Sequence, residues 1–304
     1  MHTDDVQYWS RGPGYSVTDQ QAVPIHGREL ARRLRRAQNA AGLDGVALSR
    51  AAGMSESRVS RITNGVLCPP VADVIALLTV CGVVGDERDR LLDLCHPRHE
   101  ADTLRISDGT QWEAFLYHAG QADRLTEYQP LMIPWIAQDE EYVKAYWSPL
   151  RTRRGPGPWT AKLNRGDAAG LLGRLSRAEL LVHEWALRAP VTGLAARSAQ
   201  MHGLLTLSKA SNIALRVIPA SWVLPTTAVS GFTVLEFANR RTVVYREEPA
   251  SAVFVDDPVQ VAAHLEIVRQ LRQIALKPQR TSELVKQIKD EPAPDLAPAD
   301  LFPG

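Results

Sequence analysis

The segment from Gly42 to Gly65 constrains this chain more than any other, because apolar residues recur at helical spacing on both sides of a tight Gly53-Met54-Ser55 turn. Leu48, Ala51 and Ala52 form the apolar side of one short helix and Val59 and Ile62 that of the next, so the pair needs a shared core. Ser55 stands where its hydroxyl can accept from the free N–H groups of the second helix, and Gly65 where a positive φ can stop it. The spacing predicts a helix-turn-helix whose second helix, Glu56 to Asn64, presents Ser57, Arg58, Ser60 and Arg61 to solvent. Short polar side chains and arginines on one exposed helix suit a major groove, since arginine can bond guanine O6 and N7 together.

The flanks extend this unit. Arg28 to Ala41 reads as a first helix with Leu30, Leu34, Ala37 and Ala41 at helical spacing. Pro69-Pro70 introduces a helix from Val71 to Cys81 closed by Gly82, and Asp86 opens another carrying Leu91, Leu92 and Leu94. From Arg28 to Gly65 eight arginines face three acidic residues in a chain of formal net charge +1, a concentration suited to phosphate binding.

These residues resemble an Xre-type regulator. The likeness is carried by Arg35-Arg36, Gly42-Leu43, the run from Leu48 to Ser55, Val59-Ser60-Arg61-Ile62, Gly65 and the helix containing Leu77-Leu78. It implies an all-α, five-helix, lambda-repressor-like domain over 25–96 that binds double-stranded DNA. Glu56, Ser57, Arg58 and Arg61 would read bases, Ser55 would cap the reading helix at the DNA surface, and Arg35, Arg36 and Arg50 would hold phosphates. Two departures stand out: Asp44-Gly45 replaces a Ser-Gln or Ser-Thr opening, and Thr63 replaces a frequent Glu. Asp44 can still cap but repels phosphate, so that backbone contact must weaken or move to the Gly45 N–H.

Beyond a polar linker expected over 97–110, helix and strand patterns mix. Trp112, Phe115, Leu116, Ala119 and Ala122 mark an amphipathic helix leading into Tyr128-Gln129-Pro130. Strands are expected at 180–183, 213–218, 232–237, 242–245 and 252–255, with helices from Leu194 to Lys209, from Asp257-Pro258 to about Leu276, and from a Ser282 cap to Asp290. The pattern predicts an α+β domain over 111–290 with a small antiparallel or mixed sheet. A polar arm, 1–24, is expected to be mobile, and a Pro/Ala/Asp-rich tail, 291–304, disordered.

This half resembles the C-terminal domain of actinobacterial WhiJ-like regulators, described as antitoxin-like because a small partner is often encoded beside them. The likeness rests on a helix read from Ala119 to Tyr128, Ile133-Pro134 with Gln138 and Tyr142, the Glu184 to Val191 segment, Arg216 to Pro219, Gly231 to Phe237, Val244 to Glu247 and Asp256-Asp257-Pro258. It implies a homodimerising or effector-sensing domain, or one holding a small acidic partner protein. Where the family usually has Gly after a Pro, this chain has Trp135, which cannot adopt a positive φ cheaply. Tyr128, Trp135, Gln138, Tyr142, Trp185, Trp222 and Tyr245 are the candidate ligand or partner residues.

Other functions find little in the residues. There is no G-x-S-x-G, no phosphate-binding Gly-rich loop and no H-E-x-x-H, so neither an enzyme nor a cofactor is expected. Asp256-Asp257 are read as caps of the helix opened by Pro258. Cys68, Cys81 and Cys95 form no C-x-x-C pair and are expected as thiols, and Cys95-His96 with His99 falls at a helix end unsuited to metal. No apolar run reaches the roughly 18 residues of a membrane span and no signal peptide opens the chain, so a cytoplasmic protein is expected. A single helix-turn-helix reads few base pairs, so a dimer is expected, and a bound dimer overlapping a promoter favours a transcriptional repressor.

Overall fold

The computed structural model describes residues 23–95, 103–147, 170–189, 194–222, 228, 230–248 and 251–291. The expected arm before Val23, the tail after Glu291, and His96 and His99 lie outside them. Among the described residues no helix is long and apolar enough to cross a membrane.

One compact unit gathers residues up to Arg105 together with 239–243 and 253–262. It contains α1 (Ile25–Ala40), α2 (Gly45–Ala51), α3 (Glu56–Thr63), α4 (Val71–Val80) and α5 (Gly85–Asp93). Leu30 and Leu34 of α1, Leu48, Val59, Ile62, Val74, Leu77, Leu78 and Leu91 make one buried cluster, so every helix contributes to it. Ala41 and Ala51, read above as core positions, are exposed instead: the leucines already fill the space between the helices.

Local chemistry sets the helix ends. The Asp44 carboxylate accepts from the Ala47 N–H at 2.7 Å and starts α2, and the Ser55 hydroxyl accepts from the Arg58 N–H at 3.3 Å and starts α3. Between them Gly53 takes φ +67°, which any side chain would strain, and lets the Met54 N–H reach the Ser49 carbonyl at 2.9 Å. Gly65 has φ +64° and also lies against α1, where an added Cβ would meet the Ala31 Cβ at 3.4 Å. The helix-turn-helix is thereby held both by its turn and by close packing.

Helix α1 is closed differently. Its N-cap, Pro24, makes no side-chain cap bond, and the Ile25 N–H instead donates to Asp256 Oδ2 at 2.8 Å, 231 residues away in sequence. The same oxygen lies 3.7 Å from Arg28 Nη2, whose guanidinium also donates to the Arg241 carbonyl at 3.3 Å. Asp256 is thus turned toward α1, while its neighbour Asp257 caps the helix that follows, accepting from the Gln260 N–H at 2.8 Å. Behind Arg28, buried Glu29 accepts from Arg32 Nε at 2.8 Å and from Arg33 Nε at 2.8 Å. Much of the positive charge counted in the sequence is thus spent inside the unit.

The other unit comprises 106–238, 244–252 and residues from Ala263 onward. Along the chain after α5 come β1 (Thr103–Ile106), α6 (Gln111–Ala119), β2 (Arg124–Gln129), a 3-10 turn (Trp135–Ala137), α7 (Glu140–Trp147), β3 (Arg177–His183), α8 (Glu184–Arg188), α9 (Leu194–Leu207), β4 (Ile213–Ile218), β5 (Phe232–Phe237), β6 (Arg240–Glu248), β7 (Ser251–Val255), α10 (Pro258–Ile274) and α11 (Pro278–Asp290). The sheet is mixed, with seven strands in the order β1-β7-β6-β5-β2-β3-β4. Strands β2, β3 and β4 run parallel, pairing Tyr128 with Leu181 and Leu181 with Arg216, while β5 runs antiparallel to β2 and sets Phe232 opposite Tyr128. Parallel neighbours require long crossovers, and α8 and α9 form the one between β3 and β4.

Three expectations are corrected. The stretch from Ala119 to Tyr128 is not a helix, since α6 stops at Ala119 and β2 follows. The expected linker includes β1. Helix α11 starts at Pro278 rather than at Ser282, because proline's fixed φ fits a first helical position, and buried Thr281 accepts from the Val217 N–H at 3.2 Å.

At the end of β3, buried His183 accepts from the Trp185 N–H through Nδ1 at 3.2 Å and so caps α8, which requires a neutral imidazole. Burial lowers its pKa, while the Trp222 backbone and Glu184 pull it back up.

Both buried groups should register in stability. Asp256→Ala removes the acceptor that Arg28 and the Ile25 N–H share, and is expected to cost about 3 kcal/mol in denaturant unfolding. For His183 the unfolded state binds the proton more readily than the folded one, so its contribution is complete above about pH 6.5 and is lost as pH falls below it. Melting temperatures of His183→Gln measured across that range should fall less steeply with acidification than those of the wild type.

Candidate nucleic-acid interface

Helix α3 buries Val59, Ile62 and Thr63 and turns Glu56, Ser57, Arg58, Ser60 and Arg61 outward. This division follows from the 3.6-residue period: the buried three lie on one stripe, leaving the polar residues on the opposite face. Ser55 is exposed at the N-cap and its hydroxyl already accepts from the Arg58 N–H. Glu56 stands in the first turn, where its charge complements the helix dipole and where it can accept from a cytosine N4 amino group.

The arginines named from the sequence divide into different uses. Arg36, Arg50 and Arg61 are exposed. Arg35 serves the fold, because its Nη2 donates to the Thr63 carbonyl at 3.0 Å and to the Asn64 side-chain oxygen, gripping the last turn of α3 from α1. Asn64 in turn donates to the Ser60 carbonyl at 2.8 Å. Thr63, where a carboxylate would offer a partner side chain, supplies its backbone instead and bonds its own hydroxyl back to the Val59 carbonyl at 3.0 Å. Arg58 is also engaged, its Nε donating to Asp73 Oδ2 of α4 at 2.6 Å. Sequence reasoning missed Asp73, since an acidic residue in a first turn reads as a dipole partner and no spacing rule links it to α3.

The candidate ligand or partner residues of the other unit fall into small groups, with Trp135 and Tyr245 both against Phe115 and Gln138 and Tyr142 both bonded to Ile133. Tyr128 is buried and donates to the Ala228 carbonyl at 2.7 Å, and burial raises its pKa far above the ordinary tyrosine value. Tyr142 accepts from the Ile133 N–H at 3.2 Å, and Gln138 donates to the Ile133 carbonyl at 2.7 Å, so both fix the loop after β2. Gln200 secures the same loop, accepting from the Asp139 N–H at 2.6 Å and donating to the Ala137 carbonyl at 2.8 Å. Trp135 opens the 3-10 turn, no non-glycine residue there has a positive φ, and its ring meets Trp112 edge-on at 4.8 Å and Phe115 at 5.2 Å. Tyr245 packs on Phe115 at 4.3 Å. Five of the seven thus serve the interior, whereas Trp185 and Trp222 remain 49 % and 50 % exposed.

All three cysteines are free thiols. Burial, aided by Cys68, pushes the Cys95 thiol up to about 11, and burial also raises Cys68 and Cys81. Among the described residues no group of His, Cys, Asp and Glu is arranged to hold a metal ion.

Comparison with known proteins gives two family matches. A helix-turn-helix domain family matches residues 29–91, and a domain of unknown function, DUF5753, matches residues 112–287, more than half of the chain. No curated protein matches. Among solved structures, TrmBL2, an archaeal chromatin protein described as showing a novel mode of DNA binding, is similar at 12 % identity and a TM-score of 0.29. The alignment covers 62 % of this chain and spans 61 % of that protein's length.

The two kinds of arginine should separate experimentally. Arg35→Ala is expected to lower stability by about 1 to 2 kcal/mol through the lost bond to a carbonyl, without changing the salt slope of DNA binding. Arg50→Ala should leave the melting temperature unchanged and flatten that slope by roughly one. Thermal melting and salt-titrated binding of both variants distinguish the two outcomes.

Proposed function

From a chain that belongs to the DUF5753 family and carries a helix-turn-helix domain ahead of that match, we propose a sequence-specific, DNA-binding transcriptional regulator. The observation that carries this reading is α3 itself: a helix capped at its start, gripped at its end, and presenting Glu56, Ser57, Arg58 and Arg61 on an exposed face. A reader must hold its side chains in fixed register against base edges, and those contacts supply that rigidity. Arg36 and Arg50 supply phosphate contacts that set register without reading sequence.

The finer reading is an Xre-type repressor that works as a cytoplasmic homodimer and not as an enzyme. One helix-turn-helix reads few base pairs, so two copies on a two-fold operator are the geometric solution, and a bound dimer across a promoter excludes polymerase. The WhiJ-like resemblance adds an antitoxin-like alternative in which a small neighbour-encoded acidic protein or a small-molecule effector modulates binding. The half-exposed Trp185 and Trp222 support a partner surface over an internal pocket, since large aromatics in water favour a protein contact.

Selection from randomised duplexes, followed by salt-titrated binding, tests the proposal. The wild type should enrich one sequence, and Arg61→Ala should lose about 1 to 3 kcal/mol on it and relax one base position. Equal losses on selected and scrambled duplexes would contradict base reading by α3.

A further inference from the structure

We propose that Asp73 is a positioning residue for DNA sequence recognition, holding the Arg58 guanidinium so that its terminal edge faces a guanine. The inference rests on the DNA-reading function proposed for α3. Its geometry is a bond between helices: Asp73 lies in the first turn of α4, and its Oδ2 accepts from Arg58 Nε at 2.6 Å across 15 residues of sequence.

Three features give this bond a directional role. First, the contact uses Nε, the inner donor of the fork, and no hydrogen bond within the described residues engages Nη1 or Nη2 of Arg58. Those terminal nitrogens are the donors that match guanine O6 and N7. A carboxylate gripping the end of the fork would block readout; one holding Nε aims it. Second, the Arg58 side chain is 46 % exposed and that of Asp73 only 16 %, so the carboxylate lies beneath and the guanidinium lies outside. Third, the restraint is selective. Arg61, one turn further along the same face, is exposed, and no side-chain hydrogen bond among the described residues fixes its rotamer. Ordering a long side chain costs free energy on binding, and Arg58 has met part of that cost before DNA arrives.

The pair also changes what non-specific DNA meets. A lone arginine attracts every phosphate, whereas an arginine beside a carboxylate offers a nearly cancelled charge at a distance and retains its directional donors at contact. Asp73 therefore acts in two directions, strengthening the bond to the correct base and weakening attachment to DNA in general.

The test uses the full chain and two duplexes, the sequence enriched by selection and a scrambled version, with wild type, Arg58→Ala, Asp73→Ala, Asp73→Asn and the double variant Arg58→Ala/Asp73→Ala. Melting temperatures confirm that the variants fold. Asp73→Ala is expected to lower the ratio of selected to scrambled affinity by about tenfold, to raise affinity for the scrambled duplex, and to relax the same base pair as Arg58→Ala. Asp73→Asn, which keeps an acceptor and loses the charge, should fall between wild type and Asp73→Ala. In the double variant the loss of discrimination should not exceed that of Arg58→Ala alone. Unchanged discrimination in Asp73→Ala, or a loss shared equally by both duplexes, overturns the inference while leaving α3 a reader if Arg58→Ala still relaxes one base pair. If Arg58→Ala itself keeps full discrimination, the assignment of Arg58 to a base falls and this inference falls with it.

Discussion

Helix α1 begins after a proline that makes no side-chain cap bond, and the rest of the helix-turn-helix depends on how that deficit is met. Asp256 accepts from the Ile25 N–H and faces the buried Arg28, so a carboxylate from far along the chain fixes where the first helix starts. From this fixed helix Arg35 reaches the last turn of α3, and Gly65 lets the end of α3 pack against Ala31. Removing water from so many charges is expensive, and Glu29 is compensated by directed bonds from both Arg32 and Arg33. What reaches solvent from α3 is a short polar face on a rigid support.

The helix-turn-helix is legible in the sequence because its signals are local. Apolar spacing, a glycine needing positive φ, and Ser55 and Asp44 as caps all act within a few residues, and apart from the exposed Ala41 and Ala51 the structure places them as the pattern predicts. Strands β4 and β5 are legible for the same reason, being short apolar runs between breakers. Strand β2 is not. Its Arg-Leu-Thr-Glu-Tyr-Gln sequence shows no clean alternation, because it lies between β3 and β5 with Thr126 and Glu127 buried. Glu127 is accommodated by bonds from the Trp135 N–H and the Gln129 side chain, contacts no periodicity can announce.

Charge misleads for a related reason. A count of arginines along the sequence treats each as a surface group, yet Arg28 and Arg32 are buried with acidic partners and Arg33 bridges Glu29 and Glu87. The charge that reaches the surface is smaller and lies on side chains such as Arg36, Arg50 and Arg61. Aromatic residues pose the same difficulty: Trp135 and Tyr245, named by residue type as candidate ligand or partner residues, pack in a cluster with Trp112 and Phe115. In both cases the residue type is legible and its long-range partner is not.

Arginines of α3 reading guanines in a major groove are the core of the proposed function, and one substitution in the DNA tests that most directly. Replacing single guanines of the selected duplex by 7-deazaguanine removes the N7 acceptor while preserving Watson–Crick pairing and the minor-groove edge. Binding should weaken at one or two specific guanines, and Arg58→Ala and Arg61→Ala should each abolish the sensitivity of one of them. Binding indifferent to 7-deazaguanine at every position would contradict it.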